Sequence, residues 1–281
     1  MRRGDNLTGQ DAHDLTGWIL GLPTFLAAAV IVSIAVMLSV LGLVLFHVAV
    51  PHRVRRSHNE VAGYTIAVVG VIYAVLLAFI AVAVWEDFGR AEGLVQTEAN
   101  LVGNLYRDTV GLPEPLATDL RHDLFVYAET VVQDEWPALT EGRVDDEAGW
   151  QLLDRFHLAL VRLQSPDPAV LVLETEMIRN LNALYDARRG RFHAATNGLP
   201  PILWLNLIAG ATVTILFSFM FGVPNFLMHV VMVGLLGASI ALVLALIILL
   251  DSPFRGQNHI SAVPFERLVK TVEDMAYPRG G

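Results

Sequence analysis

Apolar and polar positions in this chain are sorted into long blocks rather than interleaved. No Asp, Glu, Lys or Arg occurs in the 38 positions between Asp14 and Arg53, in the 25 between Glu60 and Glu86, or in the 59 between Arg191 and Asp251. A helix needs about 20 apolar residues, each rising about 1.5 Å, to cross a hydrocarbon core about 30 Å thick. The first two blocks can cross once and the third twice. The third splits at Gly222-Val223-Pro224-Asn225, whose residue types favour a turn. The pattern predicts four spans, at about 22–50, 61–85, 200–221 and 225–250.

The second block ends without a helix stop. Apolar residues continue at Phe88, Ala91, Leu94 or Val95, Leu101, Leu105 and Val110, at spacings near three, four and seven. One helix is expected to leave the membrane and run to about Val110, ended by Gly111-Leu112-Pro113. Residues 86–199 hold 20 acids and 10 arginines. Breaks at Pro113-Glu114-Pro115, Trp136-Pro137, Glu141-Gly142 and Ser165-Pro166-Asp167-Pro168 divide them into about four helical pieces. Trp150, Leu153, Phe156, His157 and Leu160 form a one-sided stripe, as do Leu171, Ile178, Leu181, Leu184 and Tyr185. With no strand-period run, the fold class is all-α: a four-span helical membrane protein (2 + 2) with a helical extramembrane insert. The expected layout is an N-terminal segment (1–21), a first transmembrane pair (22–85), a helical domain (86–199), a second pair (200–250) and a tail (251–281).

Composition agrees, with 54% hydrophobic residues, 17% charged and a mean hydropathy of +0.52. A net charge of -9 argues against nucleic acid as a partner. With no cysteine there is no thiolate metal site or thiol nucleophile. Arg2 and Arg3 resemble the start of a signal peptide, but Asp5, Asp11 and Asp14 intervene and the apolar run is too long. Nine histidines show no i, i+4 pair, and no phosphate loop or nucleophile elbow occurs. No catalytic residue, metal ligand or cofactor is predicted, and the chain is not read as an enzyme. The spans carry no ionisable residue except His47 and His229, which disfavours a coupled carrier but suits a passive pore with apolar constrictions.

Local motifs point further. Val75-Leu76-Leu77-Ala78-Phe79 is followed by Trp85-Glu86-Asp87-Phe88 and Arg90-Ala91-Glu92, and the last span by Asp251-Ser252-Pro253-Phe254-Arg255-Gly256. With the 2 + 2 layout, these resemble the bestrophins, a family of pentameric anion channels, and more closely their bacterial bestrophin-like relatives. The family's post-span motif is an acid followed by Pro-Phe-Gly; Asp251, Pro253, Phe254 and Gly256 match it, with one residue inserted before the glycine. The resemblance implies a constriction of three apolar side chains one turn apart on the second span, which maps to Val71, Val75 and Phe79. Such residues can equally meet lipid or a neighbouring helix. Two departures stand out. Gln257-Asn258-His259-Ile260 replaces the acidic run that clasps calcium in animal members, and Ile80-Ala81-Val82-Ala83-Val84 replaces the family's polar, positively charged segment.

The resemblance implies a homo-oligomer, expected to be a pentamer, embedded in the lipid bilayer and conducting small inorganic ions through a pore lined by the second span. Arg53, Arg55 and Arg56 would ring the pore mouth and favour anions, unless they form a solvated loop or contact headgroups. The alternative is a non-conducting sensor or scaffold whose insert binds a ligand or partner. With the termini and helical domain inside, nine basic residues flank the spans on that side (Arg2, Arg3, Arg90, Arg188, Arg189, Arg191, Arg255, Arg267 and Lys270) against three on the other. This favours a multi-pass inner-membrane protein with a cytoplasmic domain. A periplasm-active reporter fused after Arg143 is therefore expected to be silent; activity there would reverse the orientation.

Overall fold

The computed structural model describes residues 21–50 and 59–276. Its helices are α1 (Thr24–Ala49), α2 (Asn59–Asp108), α3 (Leu116–Thr130), α4 (Trp136–Thr140), α5 (Glu147–Val161), α6 (Pro168–Thr196), α7 (Pro201–Phe219), α8 (Phe226–Leu250) and α9 (Val263–Ala276). A 3₁₀ turn, Thr109–Gly111, closes α2, and a π turn, Val131–Glu135, joins α3 to α4. The described residues contain no strand. Among the described residues, four helical stretches are long and apolar enough to cross a bilayer: α1, α2, the stretch that includes α7, and α8. The helix starts have local causes. Asp167 accepts the Ala169 N–H ahead of Pro168, and Asn225 accepts the Met228 N–H, each satisfying a donor that the first helical turn leaves open.

Contacts divide the described residues into two compact units, one of 21–50, 59–86, 198–252 and 256–258, the other of 87–197, 253–255 and 259–276. In the first, α1 packs along α8 through small residues. A Cβ built on Gly237 would lie 2.7 Å from Ser39 Oγ and 3.2 Å from Ser39 Cβ, so the two backbones approach as closely as glycine permits. Ala27, Leu43 and Val233 are buried in this unit. The second span packs Tyr73, Leu77, Ile80 and Val84 with Leu207, Ala211, Ile240 and Ile247. Tyr73 Oη donates to the Leu207 carbonyl at 2.9 Å, giving its buried hydroxyl a partner where water is scarce. Asn59 holds the turn before α8 by donating to the Gly222 carbonyl at 3.3 Å and accepting its N–H at 2.7 Å.

In the second unit, α2 contributes Ala91, Val95, Val102 and Leu105 to a core shared with α3, α5 and α6. Two expectations are corrected here. Trp136-Pro137 does not break the chain, because helical structure continues from α3 through the π turn into α4. The Trp136 N–H reaches the Val131 carbonyl, five residues back, and this wider turn admits a proline whose ring would crowd an ordinary α-helical turn. The region after the last span is also more than a polar tail. It forms α9, which packs against α3 and buries Phe265 and Val272.

Gly237→Leu is expected to cost about 1–3 kcal/mol through overpacking against Ser39. A lower thermal midpoint of the detergent-solubilised protein would show this, with Gly63→Leu as the control, since a Cβ at Gly63 meets nothing within 4 Å.

Candidate functional site

Successive residues of an α-helix turn about 100°, so Val71, Val75 and Phe79 drift only about 40° per step and share one stripe of α2. Tyr73, Leu77, Ile80 and Val84 face the chain's own core, whereas Val71, Val75 and Phe79 are 65%, 49% and 72% exposed. Val68, Ile72 and Val82 widen this uncovered apolar face. Glu86 falls seven residues after Phe79, within about 20° of it, and is also exposed. Arg53, Arg55 and Arg56, the expected mouth charges, lie outside the described residues.

The post-span motif has separate roles within each unit. Asp251 Oδ1 accepts the Leu199 N–H at 2.7 Å and so ties the end of α8 to the segment that leads into α7. Phe254 is buried and meets Trp136 edge-on, with ring centroids 5.7 Å apart. The Pro253 carbonyl accepts the Ile260 N–H at 2.8 Å, and Trp136 Nε1 donates to the Ile260 carbonyl at 3.1 Å. Gly256 sits at φ +81°, a left-handed conformation that explains a glycine at this position.

Charge chemistry is concentrated in the second unit, at Glu98 and Glu135, which the sequence reading did not single out, and at Arg188 and Arg191, which it counted only as basic residues flanking a span and which are buried instead. Glu98 on α2, Glu135 on the π turn, and Arg188 and Arg191 on α6 are all buried. Arg191 donates from Nε to Glu98 Oε2 at 2.6 Å, and from Nη2 to Glu98 Oε1 at 3.0 Å and Glu135 Oε2 at 2.7 Å. Arg188 donates to both Glu135 oxygens, at 2.6 and 3.0 Å, and to the Asp146 carbonyl at 2.9 Å. Tyr127 Oη accepts from Arg188 at 3.0 Å and donates to Glu98 Oε1 at 2.5 Å. Burial, reinforced by Glu98, raises the Tyr127 hydroxyl well above its ordinary value, so it stays protonated and remains a donor. Burial works against the charge on Arg191, but the adjacent Glu98 and Glu135 outweigh it and hold the guanidinium more firmly charged than in water.

This cluster balances two cations against two anions, and each carboxylate oxygen already accepts at least one hydrogen bond. It has no spare ligand for a metal or base for a substrate, and no group of residues suited to a metal occurs among the described residues. Its chemistry is to brace α2, the π turn and α6 against one another. The sequence did carry a signal for it. Arg188 and Arg191 continue the register of Met177, Leu181 and Leu184, and Glu98 falls between Val95 and Val102, so charges occupy core positions of two apolar stripes. Gly149 lets α5 approach the cluster, since a Cβ there would overlap Arg188 and Glu135.

A family model described as the bestrophin-like domain matches residues 33–265. Similar solved structures include a bacterial bestrophin homologue from Klebsiella pneumoniae, in one form at 14% identity over 88% of this chain and 99% of that one, with a TM-score of 0.64. Another structure of a bacterial bestrophin homologue from Klebsiella pneumoniae gives 17% identity, 86% and 95% coverage and a TM-score of 0.59. A structure described only as that of a membrane protein gives 15%, 88%, 98% and 0.65. At these identities the likeness establishes the fold. No curated protein matches significantly.

Glu98→Gln leaves Arg191 buried with its principal anion gone. It is expected to destabilise the helical unit by about 3–5 kcal/mol, with the double variant Glu98→Gln/Arg191→Met regaining much of the loss. Chemical unfolding monitored by tryptophan fluorescence checks both.

Proposed function

This chain belongs to the bestrophin-like family of channel-type membrane proteins, and on that premise we propose that it is a homo-oligomer, most simply a pentamer, conducting small inorganic ions through a passage lined by α2. The observation that carries this reading is the uncovered apolar face bearing Val71, Val75 and Phe79 on a helix that runs 50 residues without a break. Cyclic assembly would turn that face inward and stack the three positions as apolar rings. Rings of this kind can close a passage by expelling water and open when they widen, without an ionisable gate. Such a pore needs shape and field rather than a nucleophile.

Two fields compete for ion selectivity. Arg53, Arg55 and Arg56 at the mouth favour anions. Glu86, two helical turns beyond Phe79 on the same face, favours cations, and its side chain makes no ion pair or hydrogen bond among the described residues. The chain is a multi-pass membrane protein, and an inner-membrane location with the helical unit on the cytoplasmic side completes the reading.

The purified protein is expected to have the mass of a pentamer and to pass ions when reconstituted in liposomes. Val75→Ala and Phe79→Ala should raise conductance several-fold by widening the rings. Replacing Arg53, Arg55 and Arg56 with Gln should shift the reversal potential in a salt gradient towards cations. A monomer or dimer without flux would leave the sensor or scaffold reading instead, and unchanged flux in the correctly assembled Ala variants would remove these residues from the passage.

A further inference from the structure

A cavity of about 620 Å³ opens on the second unit between α5 and α6, lined by Trp150, Asp154, His157, Leu158, Tyr185 and Arg189. The lining follows from helical spacing. Trp150, Asp154, His157 and Leu158 lie at i, i+4, i+7 and i+8 on α5, and Tyr185 and Arg189 at i, i+4 on α6. Its volume falls within the range of about 300–1,000 Å³ usual for small-molecule sites.

The wall is aromatic and fixed. Trp150 stacks on Tyr185, with centroids 5.7 Å apart and planes at 28°, and His157 lies 6.2 Å from the same Tyr185 ring. Trp150 Nε1 donates to Asp146 Oδ2 at 2.9 Å, and Tyr185 Oη donates to the Leu153 carbonyl at 3.3 Å, so neither ring is free to swing. The Arg188 guanidinium sits 4.9 Å from the centre of the Trp150 ring, which ties the wall to the buried ionic cluster.

The polar groups at this cavity are under-used. The Asp154 carboxylate makes no hydrogen bond or ion pair among the described residues. Arg189 makes no hydrogen bond and only a long ion pair to Asp186, at 3.8 Å. His157 completes the same wall, its half-buried ring set against Tyr185. Asp154 and Arg189 both act electrostatically on the Tyr185 hydroxyl, whose ionisation is pushed up first by burial and then by Asp154, with Arg189 opposing. Opposite charges therefore flank one aromatic wall without neutralising each other.

That combination restricts the ligand. A simple anion would suffer from Asp154 and a simple cation from Arg189, whereas a molecule carrying both charges satisfies the two at once. Leu158 and the aromatic edges require an apolar body between or beside those charges. We infer that this cavity binds a small zwitterion with an apolar or aromatic body, of the free α-amino acid class, its ammonium group on Asp154 and its carboxylate on Arg189. The site lies within the helical unit and does not depend on whether the protein conducts ions.

Isothermal titration of the full-length protein in detergent, with L-tryptophan, tryptamine and indole-3-propionate as probes, tests this. These probes share one ring system and differ in which charges they carry. L-Tryptophan is expected to bind saturably, one per chain, at least about tenfold tighter than either singly charged analogue. Arg189→Gln should abolish its advantage over tryptamine, and Asp154→Asn its advantage over indole-3-propionate. Both side chains are exposed and make no hydrogen bond in the fold, so the variants should keep the wild-type melting temperature. Equal binding of the three probes, no saturable binding of L-tryptophan up to about 10 mM, or unaltered preference in both variants would overturn the proposal.

Discussion

Glu98, Glu135, Arg188 and Arg191 have no access to water, and the helical unit depends on the exchange among them. Removing a charge from water costs several kcal/mol even after the protein relaxes, so each must be repaid by geometry. Here the geometry is a two-pronged grip by Arg191 on Glu98 and by Arg188 on Glu135, cross-linked by Arg191 to Glu135 and by Tyr127 to Glu98. Such a cluster adds less to net stability than well-packed hydrocarbon of the same volume. It adds definition, because a one-residue slip of α2 or α6 would strand a buried charge. The π turn belongs to this constraint: Glu135 is its last residue and reaches both arginines.

The aromatic side chains extend that definition outward. Trp136 lies over Arg191 and holds Phe254 and the Ile260 carbonyl, so the segment after the last span is fastened to the same cluster that holds α2. Trp150 covers Arg188 and presents Tyr185 to the α5/α6 cavity. Two tryptophans thus sit between the buried charges and two features of the unit's surface, the segment around Phe254 and the α5/α6 cavity. Their wide, rigid faces suit that position, since they attract guanidinium groups without requiring a further charge.

The membrane-spanning unit follows a different rule. With no water to receive backbone polar groups, helices must satisfy themselves, and association falls to close packing of small residues and a few hydrogen bonds such as Tyr73 to Leu207. A single chain cannot cover every face of four helices under that rule. The exposed stripe of α2 is one such face, and it bears no charge until Glu86, where the apolar block ends.

Legible from the chain alone were the four spans, the continuity of the second span into a long helix, the all-helical insert and the family resemblance carried in part by Asp251, Pro253 and Phe254. These are properties of spacing along the chain: charge-free blocks set spans, and a stripe that persists past Trp85 without a stop sets a continuous helix. The α9 pattern and the core register of Arg188 and Arg191 were also written there, but a charge in an apolar stripe has no meaning until its partners are known. Tertiary structure alone decided that Glu98, 93 residues distant from Arg191, would meet it, that Trp136-Pro137 would be passed by a π turn rather than a break, and which face of α2 the chain leaves uncovered. The physical reason is that desolvation acts on positions in space. Helical period fixes which side chains share a face, and only packing fixes which faces lose their water.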